Sequence, residues 1–226
     1  MIVRVWRHSR AIADMGPALD ELALATNTPV TARRTWQAAW LDAFPEWRPL
    51  LVTVHGQDDR LESAAALAER RRGPLRKVVA MGDGLSDYAR LPARSEESSR
   101  ELAAGIRAAL EQLGGPWWML IRQLPADDAV SGAIMRTFPH AAMLPGEASP
   151  ISLFDEDRSV ARYASKNLRQ QIRKMQRRTE RTGLTPTLEH VHDSSKIAAA
   201  LPEIERLCVL RDHDSGRKSI LDSPSS

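Results

Sequence analysis

The sequence predicts a mixed α+β fold, and three observations lead to this prediction. Short runs rich in β-branched and aliphatic residues, such as Leu50–His55 (LLVTVH), are typical of strands. Longer segments with apolar residues at the helical period, such as Leu102, Ile106 and Leu110, are typical of helices that pack on one face. Up to residue 155 these segments follow the order β-α-α-β-β-β-α-β-α-β-β. We expect a first lobe over residues 1–158, and in residues 159–226 a connecting basic helix and the start of a second, incomplete lobe.

The first part of the chain is predicted to form one strand and two helical regions. Ile2–Trp6 alternates apolar and basic residues, which is typical of a strand. Helical sequence follows from about residue 10, and Pro17 is suited to the first turn of its second stretch. Residues 31–44 predict a helix that Pro45 ends. Three aromatic residues repeat at helical spacing there and are interpreted as core packing: Trp36, Trp40 and Phe44.

The next segment predicts three strands. Leu50–His55 and Leu61–Ala68 are joined by a hairpin connection, although the alanines of the second run would equally suit a helix. Arg70–Pro74 predicts a charged turn, and Lys77–Met81 predicts the third strand.

A long helix, a strand and a shorter helix are predicted to follow. Ser98 and Glu101 have the spacing of a capping box, which predicts the start of the long helix. Trp117–Arg122 is a compact apolar run that predicts a strand. The shorter helix is capped by Asp127 or Asp128 and ended by Pro139. Two short strands complete the first lobe: Ala141–Leu144 and Ile151–Phe154.

A basic helix is predicted from about Ser159 to Thr182. Within Ser165–Arg181 it carries seven Lys or Arg side chains against one acid, Glu180, in a chain of formal charge +3. Leu168, Ile172 and Met175 form an apolar stripe, which we expect to face a core. A strand-like piece, Pro186–Val191, and a helix from Lys196 or Pro202 to about Arg211 follow.

The composition limits the class of protein. The chain has 226 residues, 42% of them hydrophobic and 27% charged, which is ordinary for a globular protein. No apolar run reaches the ~20 residues that span a bilayer. The single cysteine, Cys208, excludes an internal disulfide and a Cys cluster for zinc. The sequence therefore predicts a cytoplasmic location and no metal site.

Several stretches resemble one acyltransferase family. The stretches GDGLSDY (Gly82–Tyr88), WWMLIRQLP (117–125) and SKNLRQQIR (from Ser165) are similar to the cellulose-biosynthesis-type acetyltransferases of the GNAT superfamily. These proteins are relatives of the Fem-type peptidoglycan aminoacyltransferases. The resemblance covers most of residues 28–218 and implies a GNAT-like acyl-CoA N-acyltransferase fold with acetyl-CoA as co-substrate.

The same resemblance implies two GNAT-like lobes in tandem, with the acetyltransferase signature mainly in the second. Here the second lobe begins at the basic helix, and the strands that would complete it do not follow. We therefore expect an incomplete second lobe, either in a truncated family member or in a fragment, so that the chain as it stands could be inactive. No general base is assigned.

A GNAT protein needs backbone N–H groups at a helix start to bind the pyrophosphate of coenzyme A. The stretch most similar to the usual motif, Arg70–Leu75, fails at its last position, and Pro74 lacks an N–H group. Where the fold would place this loop, Glu96, Glu97 and Glu101 would repel phosphate. We therefore expect that the first lobe does not bind acyl-CoA in the standard way.

Two groups of residues are candidate substrate contacts. Asp83, Asp87 and Tyr88 could line a cleft and bind amine or hydroxyl groups; alternatively they form a turn and solvated loop positions. Lys166, Arg169 and Arg173 could guide an anionic substrate into the cleft between lobes. The basic helix could equally be a solvated connector. Nucleic acid is disfavoured because no helix-turn-helix or aromatic RNA-binding pattern accompanies the charge.

The resemblance thus implies acyl transfer from acyl-CoA to an amine or hydroxyl of a cell-envelope or polysaccharide-related substrate. The partner would be an anionic or sugar-linked small molecule or polymer. The alternative is a non-catalytic binding or scaffold protein that holds an anionic polymer or partner with the basic helix.

Overall fold

The computed structural model describes residues 1–86, 88–125, 128–146, 165–183, 185, 187 and 189–216. The chain divides into two compact units, Met1–Gly146 (unit 1) and Glu147–Ser226 (unit 2). The predicted boundary between residues 158 and 159 lies outside the described residues and stays a prediction.

Unit 1 is built on a sheet whose described strands lie in the order β1-β2-β3-β4-β5. The strands are β1 (Ile2–Trp6), β2 (Arg48–His55), β3 (Leu61–Arg72), β4 (Leu75–Ala80) and β5 (Trp117–Leu120). The first four pair antiparallel, and β5 pairs parallel to β4. The parallel pair arises because a helical crossover joins β4 to β5, whereas a tight turn joins β3 to β4.

The described helices lie before, between and after these strands. In unit 1 they are α1 (Ala11–Asp14), α2 (Gly16–Ala25), a 3-10 turn (Val30–Ala32), α3 (Arg34–Ala43), α4 (Glu96–Glu111) and α5 (Ala129–Thr137). In unit 2 they are α6 (Lys166–Arg181) and α7 (Ser194–Asp214). Strands and helices both contribute to unit 1, so the predicted mixed α+β fold is confirmed.

Unit 1 has a hydrophobic core on each face of the sheet. Leu50, Val52 and Val54 of β2 pack with α4 and α5 on one face. Leu51 of the same strand packs with α1, α2 and Trp40 on the other face. Alternate residues of a strand point to opposite faces, so the apolar run of β2 is buried on both sides.

Helix α4 lies close against the sheet because it has no side chain at Gly105. A Cβ atom there would come within 2.6 Å of Val3 Cγ1 and 3.1 Å of Val52 Cγ1. The predicted apolar positions of this helix, Leu102, Ile106 and Leu110, are fully buried. The helical period therefore identified its packed face correctly.

Two predicted boundaries in unit 1 were wrong. The capping box of α4 is formed by Ser95 and Ser98, because Ser95 is extended and its Oγ accepts from Ser98 N at 3.1 Å. The predicted N-cap, Ser98, is therefore inside the helix. The predicted charged turn at Arg70–Pro74 is largely strand, since Arg70–Arg72 pair with β4. The turn itself is at Gly73, whose φ is +59°.

Two predicted strands differ from the structure. Ala141–Leu144 forms no strand, and residues 141–146 are irregular. The described residues of Pro186–Val191 are irregular as well, whereas Ile151–Phe154 lies outside the described residues. Short apolar runs of this kind fit a loop as well as a strand when no neighbouring strand pairs with them.

The basic helix is confirmed as α6, with Ser165 as its N-cap. Residues 159–164, the predicted first part, lie outside the described residues. The expected packing of its apolar stripe was wrong: Leu168 is 45% exposed, Ile172 38% and Met175 62%. Amphipathic spacing predicts a helix with an apolar side, but it does not supply a partner surface for that side.

Candidate functional site at the ends of strands β4 and β5

The carboxyl ends of β4 and β5 are the natural place for a ligand in unit 1. In open sheets, ligands bind outside the carboxyl ends of parallel strands. β4 and β5 are the parallel pair, and their last paired residues are Val79 and Leu120. The chain continues from β4 into a turn at Met81–Leu85 and from β5 into Ile121 and Arg122. The two continuations bring side chains of both segments together.

Asp83 and Arg122 form an ion pair across these strand ends. Arg122 Nε lies 3.2 Å from Asp83 Oδ1, and an Nη2–Oδ2 contact of 3.4 Å lies beside it. The side chain of Asp83 is 10% exposed, whereas that of Arg122 is 52% exposed. The paired geometry matches the planar fit of guanidinium to carboxylate. A ligand can therefore reach the guanidinium from solvent, and Asp83 is held in a fixed position behind it.

The loop after β4 is held by hydrogen bonds from three other segments. Trp36 Nε1 of α3 donates to Ser86 Oγ at 3.0 Å. Thr31 Oγ1 donates to the carbonyl oxygen of Tyr88 at 2.9 Å. The amide of Ala89 donates to the carbonyl oxygen of Gln123, after β5, at 3.1 Å. These bonds fix the loop against α3 and the end of β5.

Gly82 is required at the start of this loop. Its φ is +98°, a backbone conformation that residues with a side chain rarely adopt. A Cβ atom there would lie 2.3 Å from Ser86 Oγ and 2.9 Å from Trp36 Nε1. The glycine of the GDGLSDY stretch is thus explained by backbone conformation and close packing together.

The predicted site residues have different environments. Asp83 is paired with Arg122, and Tyr88 is 42% exposed with its backbone anchored to Thr31. Asp87 lies outside the described residues. Lys166, Arg169 and Arg173 are exposed on α6 of unit 2. Their role as substrate contacts stays a prediction.

Sequence reasoning missed Arg122 and the function of Trp36. Arg122 ends the apolar run WWMLIR, and a lone charge in such a run was a usable signal. Trp36 was interpreted as core packing together with Trp40 and Phe44. Trp40 is buried, and its ring centroid lies 5.2 Å from that of Phe44. Trp36, in contrast, donates a hydrogen bond to Ser86 in the loop after β4.

The start of α4, where the fold would hold the pyrophosphate of acyl-CoA, does not fit that group. Ser95 and Ser98 bond each other's backbone amide, with both distances 3.1 Å. Glu96 and Glu97 occupy the first turn and add two negative charges. Arg94 just before the helix is bonded to the carbonyl oxygen of Leu61 and to Glu21. The backbone amides of Ser95 and Ser98 are therefore already hydrogen-bonded, and the carboxylates of Glu96 and Glu97 would repel a phosphate group.

A surface cavity of about 310 Å³ lies beside the start of α5. Arg90, Arg94 and Asp128 contribute its charged lining. Asp128 Oδ1 accepts from the amides of Val130 and Ser131 at 3.0 Å, so the helix start is already capped. The cavity is polar, but its helix amides are not free to bind an anion.

Two features are absent from the described residues. No group of three or more His, Cys, Asp or Glu side chains among the described residues could hold a metal ion. No helix in the described part of the chain is long and apolar enough to cross a membrane.

Comparison with known proteins gave similarities at the level of solved structures. No protein-family model matches the chain, and no curated protein matches it. TTHA1254 from Thermus thermophilus is 15% identical with a TM-score of 0.40 in its wild-type form, and 14% with 0.42 in a mutant form. A structure named a probable acetyltransferase is 10% identical with a TM-score of 0.39. The matches cover 69% of this chain and 100% of each of those chains.

A further similar structure is YycN from Bacillus subtilis, whose name carries the same acetyltransferase assignment. It is 9% identical, has a TM-score of 0.35, and matches 68% of this chain and 100% of its own.

Proposed function

We propose that this chain is an acyltransferase of the cellulose-biosynthesis type within the GNAT-like fold. It would transfer an acyl group from acyl-CoA to an amine or hydroxyl of a cell-envelope or polysaccharide-related substrate. The observation that carries the proposal is the parallel pair β4 and β5, with the Gly82–Tyr88 stretch at its carboxyl end. This stretch also carries much of the sequence resemblance to that family.

In this proposal unit 1 binds the acceptor substrate. Asp83 would accept a hydrogen bond from the amine or hydroxyl, and Arg122 would pair with an anionic group. The hydroxyl of Tyr88 would add a further polar contact. Separately, in unit 2, Lys166, Arg169 and Arg173 would bind an anionic group. Acyl-CoA would be held away from the start of α4, because that helix start is capped and acidic.

Isothermal titration of acetyl-CoA into the full chain tests this proposal. We expect binding with a Kd of about 1 μM to 1 mM, the usual range for substrates. The matched variant is Glu96→Gln with Glu97→Gln, which removes two negative charges and keeps the capping box. We expect its affinity to equal that of the wild type. A gain of about tenfold would mean that acyl-CoA sits at α4, and no binding would contradict the proposal.

The second candidate is a non-catalytic protein that binds an anionic polymer or partner. The specific observation in its favour is the mismatch between the start of α4 and a pyrophosphate. Titration with a sulfated polysaccharide at several salt concentrations tests it, because contacts with phosphate or sulfate groups weaken with salt. Polyanion binding that Arg169→Glu with Arg173→Glu removes, together with no acetyl-CoA binding, would favour this candidate.

A further inference from the structure

Helix α6 has the sequence and exposure of a helix that lies on a surface. Its apolar residues are Leu168, Ile172 and Met175, and all three are exposed to solvent. No residue of the helix is buried. An exposed apolar strip beside a strongly charged face marks an interaction site. This site needs a partner that offers both an apolar and an anionic component.

The cations of α6 surround the apolar stripe. At 100° per residue, Arg169 and Arg178 lie on either side of the stripe, each about 60° from its nearest apolar residue. The remaining cations fill the opposite side of the helix. The full set is Lys166, Arg169, Arg173, Lys174, Arg177, Arg178 and Arg181. Among the described residues, none of these seven is paired with a carboxylate.

We propose that α6 binds the surface of an anionic phospholipid bilayer. It would lie in the interface plane, with Leu168, Ile172 and Met175 inserted among the upper acyl chains. The flanking guanidinium and ammonium groups would pair with lipid phosphates. A narrow apolar face, a strongly cationic polar face and low overall hydrophobicity are the features of interfacial helices. Juxtaposed basic residues add attraction to anionic lipid.

Two other occupants fit the helix less well. A second copy of α6 would bring two sets of seven cations together, and like charges disfavour such pairing. A single-stranded nucleic acid would pair with the cations but would leave the aliphatic stripe in water. Nucleic-acid platforms stack bases on aromatic rings, and the sequence Lys166–Arg181 contains no aromatic residue.

The first test measures co-sedimentation of the full chain with vesicles. We expect binding to equimolar phosphatidylglycerol and phosphatidylcholine, and no binding to phosphatidylcholine alone. Raising the ionic strength from about 0.1 M to about 1 M shortens the Debye length from about 10 Å to about 3 Å and should release most of the protein. Equal binding to both vesicle types, or no binding to either, would overturn the proposal.

A pair of matched variants separates insertion from charge. Leu168→Glu with Ile172→Glu adds two negative charges within the apolar stripe. Asn167→Glu with Gln170→Glu adds the same two charges on the polar side. We expect the stripe variant to lose about tenfold or more in vesicle partitioning, and the polar-side variant to lose clearly less. Equal losses would mean that charge alone governs binding and would overturn insertion.

A labelling experiment tests the orientation without relying on those variants. In a Cys208→Ser background, which removes the one cysteine of the chain, Ile172→Cys and Gln170→Cys each provide one site for an environment-sensitive fluorophore. With anionic vesicles we expect a blue shift and quenching by acyl-chain-bound quenchers at residue 172 only. Equal responses at both positions would contradict the proposal, and so would tight binding of single-stranded DNA without vesicle binding.

These measurements contain no acyl-CoA, so their outcome is independent of the proposed acyl transfer. A chain that binds vesicles but not acetyl-CoA would retain this inference and lose the proposed function. A chain that binds acetyl-CoA but not vesicles would do the reverse.

Discussion

Gly82 is the residue on which the loop after β4 depends most directly. It combines a positive φ with close packing that leaves no room for a side chain, since a Cβ atom there would overlap Ser86 and Trp36. Gly84, two residues later, also has a positive φ, +86°, but nothing lies within 4 Å of a Cβ atom placed there. A comparison of the two glycines therefore distinguishes the cost of the backbone conformation from the cost of close packing.

Gly82→Ala should destabilise unit 1 more than Gly84→Ala does. Both substitutions carry the left-handed backbone penalty of about 1–2 kcal/mol. Only Gly82→Ala adds overpacking against Ser86 and Trp36, which costs about 1–3 kcal/mol more. Urea unfolding followed by tryptophan fluorescence measures both losses. Equal losses would show that Trp36 and Ser86 move aside at no cost.

At the scale of secondary structure, the start of α7 is fixed by one side chain. Asp193 Oδ1 accepts from the amides of Ser195 at 2.9 Å and Lys196 at 3.0 Å, and also from the hydroxyl of Ser195. The Ser195 hydroxyl, followed by the Lys196 amide, holds the pKa of this carboxyl below its ordinary value of 3.8. The ionised carboxylate of Asp193 is therefore more stable in the folded helix than in the unfolded chain.

The capping of α7 should depend on acid pH through Asp193. The ionised Asp193 carboxylate stabilises the helix fully at pH values above 3.8, its ordinary pKa in the unfolded chain. This stabilisation is lost as the pH falls through the lower pKa of the folded chain. Asp193→Asn retains a capping side chain that does not ionise. Far-UV circular dichroism of the full chain should show an acid loss of helix that is larger in the wild type than in the variant. Identical curves would exclude a role for this carboxylate.

At the scale of the whole molecule, the two units differ in how many of their apolar residues are buried. Unit 1 has a core on each face of its sheet. In unit 2, α6 has no buried residue and the buried residue of α7 is Asp212. All six tryptophans lie between Trp6 and Trp118, within unit 1. Tryptophan fluorescence therefore reports on unit 1, whereas circular dichroism reports on helices of both units.

Urea should unfold the two units in separate steps. Burial of apolar surface provides most of the free energy of folding, so α6 and α7 should lose structure at a lower urea concentration than unit 1. We expect part of the far-UV signal to change before the fluorescence does. A chain ending at Gly146 serves as the control, because both signals should then coincide. Coincident transitions in the full chain would contradict this expectation.

The type and order of the elements from β1 to α5 could be predicted from the sequence alone. The alternation of Ile2–Trp6, the helical period of Leu102, Ile106 and Leu110, and the prolines at helix boundaries are local signals. They act over one or two turns or a few strand residues, so no knowledge of distant contacts is needed. The boundaries at Ser95 and Arg70–Arg72 were predicted wrongly because they depend on more than local sequence. The geometry of the cap sets the start of α4, and pairing with β4 sets the end of β3.

The candidate site, in contrast, was decided by tertiary structure. Asp83 was identified from its loop, but its partner Arg122 is 39 residues away in the sequence, just after β5. Trp36 has the same helical spacing as Trp40, yet one binds the loop and the other fills the core. The stripe of α6 is apolar in sequence and exposed in the structure. Periodicity shows which side of an element is apolar, whereas only the positions of the other elements decide what that side contacts.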